Sequence, residues 1–117
     1  MSKEARSLFA FGIYLILVGL GFMVMPNTVL PLFGLPETSE VWPRVVGMLA
    51  LFLAYYYIHA AQKEYTSFIR ITVFARASVT IFFLVFVLLK FAPPTLMIIA
   101  GVDLAAALWT WFSLPKT

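Results

Sequence analysis

Arg76 and Asp103 are the two opposite charges that fall deep inside long apolar runs of this chain. A guanidinium in such a place can hold an anionic or hydrogen-bond-accepting head group. A carboxylate can pair with it or exchange a proton. Leaving either one alone in hydrocarbon is costly, about 2.5–3.5 kcal/mol even on the lenient insertion scale. Taking 1.5 Å per helical residue, Arg76 lies about 12 Å and Asp103 about 15–17 Å from the same end of their runs. Matching depth and opposite sign predict that they meet, directly or through a water. Two readings stand side by side: an ion pair that fixes helix register, or a site at which one of them engages a ligand.

The neighbours at helical spacing extend the group. Thr72, Arg76 and Thr80 share one face, and Asp103 shares another with Ala107 and Thr110. In the preceding apolar run, Arg44, Met48, Tyr55, His59 and Gln62 fall within about 80° of one another at 100° per residue. Intramembrane polar groups normally turn inward, so this stripe is expected to face the other helices. The candidate ligand-binding residues are therefore Tyr55, His59, Thr72, Arg76, Asp103 and Thr110, expected to converge in the cytoplasmic half. The expected ligand is amphipathic, its head near Arg76 and its tail toward the outer leaflet. Phospholipid and quinone-like molecules both fit. Arg44 sits one turn after Glu40 and is a candidate for pairing with it or for reaching a lipid phosphate. His59 reads alternatively as a hydrogen-bonded interfacial histidine. No catalytic residue is assigned.

Four apolar runs must position these residues, at about 7–25, 41–62, 68–91 and 95–114. Each is long enough for a membrane helix, which needs about 20 apolar residues. Together they use nearly all of the 117 residues, of which 63% are hydrophobic and 11% charged, with mean hydropathy +1.02. The fold class is thus all-α, an integral membrane antiparallel four-helix bundle forming a single transmembrane domain. The chain has no cysteine, which excludes disulfides, thiolate metal sites and iron–sulfur clusters. Its single histidine excludes a bis-histidine haem within one chain and a histidine-rich metal site. No metal and no cofactor is expected. The net charge of +3 comes from Lys and Arg at helix ends, as expected beside anionic lipid rather than nucleic acid. Residues 7–25 exceed the apolar core of a signal peptide and lack a small-residue cleavage site, so they read as a first span that also directs insertion.

The connectors carry further detail. Pro26 ends the first span, and the Pro-rich segment after it is apolar enough to lie in the interface. The short polar turn at residues 63–67 makes the second and third spans antiparallel neighbours. Lys3, Arg6, Lys63, Arg70 and Lys116 fall on one side, against Arg44 and Lys90 on the other. The positive-inside rule puts both termini in the cytoplasm. Gly12 with Gly19, Gly47 with Ala54, and Gly101 with Ala105 offer grooves for close helix contact, within one chain or between chains.

The order of these features resembles the small bacterial four-helix membrane proteins of the DoxX-like and related unknown-function groups. The features are a first span ending in Pro26, the loop Leu32-Phe33-Gly34-Leu35-Pro36, the opening Trp42-Pro43-Arg44-Val45-Val46-Gly47, then Arg76 and Asp103. The resemblance implies a multi-pass protein of the bacterial inner membrane and carries over no catalytic residue. The functional expectation is a non-enzymatic protein, an accessory subunit or a binder of a lipid-like ligand. Its partners would be membrane lipids, and a homo-oligomer or larger membrane complex is an open option; no nucleic acid is expected. Two alternatives remain. One is a small homodimeric transporter, although the first span lacks the ionisable residue such exporters use. The other is a membrane enzyme or redox partner acting on a quinone- or sterol-like substrate.

Overall fold

Ser2 starts the first helix by accepting a hydrogen bond from the Ala5 backbone N–H at 3.2 Å. This satisfies one of the free donors at a helix start, and Glu4 in the first turn suits the positive end of the dipole. The computed structural model describes residues 1–115, so the basic residue Lys116 lies outside the described residues. Helix α1 runs Lys3–Val24, and the short α2 runs Pro26–Leu32. Helix α3 runs Trp42–Gln62, α4 runs Thr66–Leu88, and a 3-10 turn at Pro94–Leu96 leads into α5, Met97–Ser113. Among the described residues there is no strand. Helices α1, α3, α4 and the segment Pro94–Ser113 are each long and apolar enough to cross a membrane, which fits a multi-pass membrane protein.

The boundaries follow local chemistry. Pro26 closes α1 and opens α2, since proline lacks the N–H that a continuing helix needs. Pro43 occupies the first turn of α3, where a missing N–H is harmless. Glu64 turns the chain between α3 and α4 with φ 53°, a left-handed conformation that glycine adopts more easily. The third span ends sooner than its apolar run suggests, at Leu88 instead of Phe91. Lys90 takes φ 63°, and Pro93 with Pro94 then starts the next element. Hydrophobicity alone could not show this stop.

Helix α1 packs most extensively on α3, and α4 on α5. The α1–α3 seam is made by small residues. A Cβ added at Gly19 would fall 2.8 Å from the Gly47 carbonyl oxygen, and one at Gly12 would fall 2.6 Å from Ile58 Cγ1. The two backbones run side by side in opposite directions. The grooves expected at Gly12, Gly19, Gly47 and Ala54 are thus used within the chain. Gly101 differs: nothing lies within 4 Å of a Cβ placed there. The main core gathers Leu8, Phe11, Tyr57, Ile69, Val73 and Ala107 from all four long helices. Large apolar side chains such as Leu17, Phe82 and Phe112 face outward, as suits a surface solvated by lipid.

At the opposite end from the termini, polar contacts order the connectors. The Arg44 guanidinium donates to the Met23 carbonyl, one of the free acceptors at the end of α1. The Thr95 hydroxyl donates to the Phe33 carbonyl, and the Thr38 N–H donates to Asn27 Oδ1 at 2.9 Å. At the terminal end, the Ser2 N–H donates to Glu64 Oε1 at 2.9 Å. Hydrogen bonding from Ser2, through its side chain and its backbone, holds the Glu64 carboxyl below its ordinary value of 4.5.

Candidate ligand site

Arg76 is only 2% exposed, and the hydrogen-bond chain that starts from it ties three helices together. Its Nε donates to the Thr72 carbonyl at 3.2 Å, one turn back on α4. Its Nη2 donates to Thr72 Oγ1 at 3.1 Å and to Thr110 Oγ1 on α5 at 2.8 Å. Thr110 Oγ1 lies 2.7 Å from Ser7 Oγ on α1, and Ser7 in turn donates to the Glu4 carbonyl at 2.7 Å. The Arg76 carbon Cζ sits 4.9 Å from the centre of the Phe11 ring, within cation–π range.

One nitrogen is left over. Arg76 Nη1 is buried and has no hydrogen-bond partner. Such an orphaned donor costs about 1–3 kcal/mol, more where the group is charged. Asp103 is also buried, 9% exposed, yet it does not satisfy that nitrogen. The direct pair expected from depth and charge is therefore absent. Thr72 and Thr110 hold the guanidinium by one edge, and Asp103 stands apart from it. Both side chains instead line a common cleft of about 280 Å³. Phe11 and Leu15 of α1, Leu53 and Tyr57 of α3, and Ala75 and Val79 of α4 complete its wall. At about 30 Å³ per molecule, that space equals roughly nine waters. A water link between the two charges fits this space, as does a larger occupant.

Of the six candidate binding residues, the structure brings four together. Arg76 and Asp103 line the cleft, while Thr72 and Thr110 position Arg76. Tyr55 and His59 do not join them. Tyr55 is 69% exposed and His59 is exposed too, as are Arg44, Met48 and Gln62. The polar stripe of α3 thus points away from the other helices, against expectation. The reason is steric. The face of α3 that meets its neighbours carries Gly47, Ala50, Ala54, Ala60 and Ala61, with Tyr57 the one bulky residue admitted, so close packing of small residues fills most of it. Tyr55 and His59 border two outer clefts of about 260 and 230 Å³, with Ile16, Gln62, Tyr65 and Phe68 among their neighbours. The ring of Tyr55 stacks on that of His59 at 6.3 Å, and His59 meets Tyr65 edge-on at 5.9 Å. Arg44 serves the end of α1, where pairing with Glu40 or a lipid phosphate was expected.

Sequence reasoning placed the site among the second, third and fourth spans and so missed the first. Ser7, Phe11 and Leu15 all belong to α1. Ser7 and Phe11 are one turn apart, and this one-face spacing was the available signal. Comparison with protein-family models, curated proteins and solved structures finds no match. The likeness to DoxX-like proteins therefore rests on the sequence features alone.

Proposed function

We propose that the chain is a non-enzymatic protein of the bacterial inner membrane that holds a lipid-like ligand within an antiparallel four-helix bundle. In this reading both termini are cytoplasmic. The ligand enters the cleft between α1, α3, α4 and α5, with its head at Arg76 and its apolar part along Phe11, Leu15, Leu53 and Val79. The observation that carries the reading is the unpartnered, buried Arg76 Nη1 in a cleft whose remaining wall is mainly apolar. An apolar pocket with a few convergent polar groups is the usual form of a small-molecule site. Thr72 and Thr110 support it by fixing two other guanidinium nitrogens, so the free one is held in place before a ligand arrives.

Native mass spectrometry of the gently extracted protein tests this. Wild type is expected to retain a discrete bound species. Val79→Phe, which fills the cleft without changing a charge, and Arg76→Gln should both lose it. The double variant Tyr55→Phe, His59→Leu should keep it, since those residues lie on another face. Retention of the species by Val79→Phe, or its absence from wild type, defeats the proposal.

A further inference from the structure

Arg76 and Asp103 border one cleft without bonding each other, and this unusual arrangement constrains the chemistry of any occupant. A guanidinium can only donate hydrogen bonds, and an ionised carboxylate can only accept them. Arg76 Nη1 lacks an acceptor. Among the described residues Asp103 has no hydrogen-bonding partner in the structure, and it is the only carboxylate that lines the cleft. The cleft therefore has one wall that donates and attracts anions, at Arg76, and one that, when ionised, accepts hydrogen bonds and repels anions, at Asp103.

Resting on the ligand-binding reading above, we infer that Asp103 makes the cleft selective for a neutral head group that both accepts and donates a hydrogen bond. A hydroxyl or phenol on an apolar body has this character. Its oxygen accepts from Arg76 Nη1 while its O–H donates to the Asp103 carboxylate. An anionic head satisfies Arg76 but meets the carboxylate at short range, in a medium where like charges repel strongly. A head that only accepts leaves Asp103 unpaired and desolvated. Asp103 is thus the specificity-determining residue, while Arg76 supplies attraction to both kinds of oxygen. The volume sets a further limit. An apolar cavity of roughly 150 Å³ holds benzene, so about 280 Å³ accepts a single substituted ring or a comparable length of chain. Water also donates and accepts, but beside Arg76 and Asp103 the wall offers one further polar side-chain group, the Tyr57 hydroxyl, and otherwise Phe11, Leu15, Leu53, Ala75 and Val79, too few partners for a full complement of waters.

Three probes with one shared tail separate the possibilities: 4-hexylphenol, 4-hexylanisole and 4-hexylbenzoate. Saturable binding is measured by equilibrium dialysis against the full chain in nanodiscs, with empty nanodiscs to subtract partition into lipid. At pH 8 the phenol is neutral and the benzoate is charged. Wild type is expected to bind the phenol at least tenfold more tightly than either the anisole or the benzoate. Asp103→Asn, nearly isosteric, removes the negative charge and supplies an amide donor. It should raise benzoate affinity at least tenfold over wild type and erase the preference for the phenol over the anisole. The wild-type ranking alone decides the matter if the variant fails to fold. Phenol and benzoate affinities within threefold of each other in wild type overturn the selectivity and leave a ligand site standing. Saturable binding of none of the three overturns both.

Discussion

The α1–α3 seam and the surroundings of Arg76 solve the same problem in opposite ways. Helices in lipid gain nothing from burying apolar surface against one another, so something else must hold them. Along the seam it is shape: Gly19 and Gly47 lie so close that a Cβ on either would strike the carbonyl oxygen of the other, and one on Gly12 would strike Ile58. Among the described residues the one side-chain hydrogen bond between these two helices is that from Arg44 to the Met23 carbonyl, at the end of the seam. Around Arg76 it is polarity: a chain of hydrogen bonds from Glu4 through Ser7 and Thr110 joins α1, α5 and α4. The seam borders only an outer cleft, along Ile16, Leu51 and Ile58, whereas the cleft at Arg76 draws its wall from all four long helices. The comparison teaches that Arg76 and Asp103, both buried and ionisable, line the second cleft and not the first.

The largest expected effect strikes the seam. A Cβ at Gly47 would fall 2.5 Å from the Gly19 carbonyl oxygen and 2.9 Å from the Met23 backbone nitrogen, neither of which can move alone. Gly47→Val should therefore cost about 3 kcal/mol, the upper end for overpacking. Reversible unfolding in mixed micelles measures it. Gly101→Ala is the matched control. With nothing near its Cβ, it should gain a few tenths of a kcal/mol up to about 1 from helix propensity. Equal losses from the two substitutions would erase the contrast between seam and surface.

A middle effect belongs to the polar cluster. Thr110→Val keeps the shape but removes the acceptor for Arg76 Nη2 and the partner of Ser7. The expected loss is about 1–3 kcal/mol, because a donor of a buried charge is left unsatisfied. The loss should shrink when Arg76 is replaced by Gln in the same chain, and a double-mutant cycle reads that coupling. Strict additivity of the two changes would show that Thr110 holds α5 in place independently of Arg76.

The smallest effect lies at the exposed terminal end. Ser2 lowers the Glu64 carboxyl, so the contact is present above its ordinary value of 4.5 and is lost as pH falls through the depressed value. Between about pH 5 and pH 3, wild type should lose more thermal stability than Glu64→Gln does. Parallel declines in the two proteins would show that this contact does not couple to folding.

Much of the architecture was legible because hydropathy and proline placement are local properties. The four long helices, the stop at Pro26 and the tight turn after Gln62 all follow from short stretches of sequence. The depth of Arg76 and its face shared with Thr72 were legible for the same reason. Helix rotation was not. Polar side chains on α3 suggested an inward face, but tyrosine and histidine near a helix end tolerate an outer position. Alanine and glycine, which carry little hydropathy signal, decided which face turned in. Nor could the failure of Arg76 and Asp103 to pair be read. The side chain's orientation is set by Thr110, which arrives from another helix and holds Nη2 while Nη1 stays unbonded.

The hydrogen bond from Arg44 to the Met23 carbonyl also bears on how the molecule is assembled during synthesis. The end of α1 is completed by a residue 21 positions later, so that end stays open until the start of α3 has left the ribosome. From that moment α1 and α3 can close along their glycines while α4 and α5 do not yet exist. Ser7 waits longer: its partner Thr110 is 103 residues away, on α5. The residues of the seam are thus all made before Thr110, which the Arg76 cluster needs. A chain interrupted before α5 would carry an anchored helix pair and a guanidinium without the threonine that holds it.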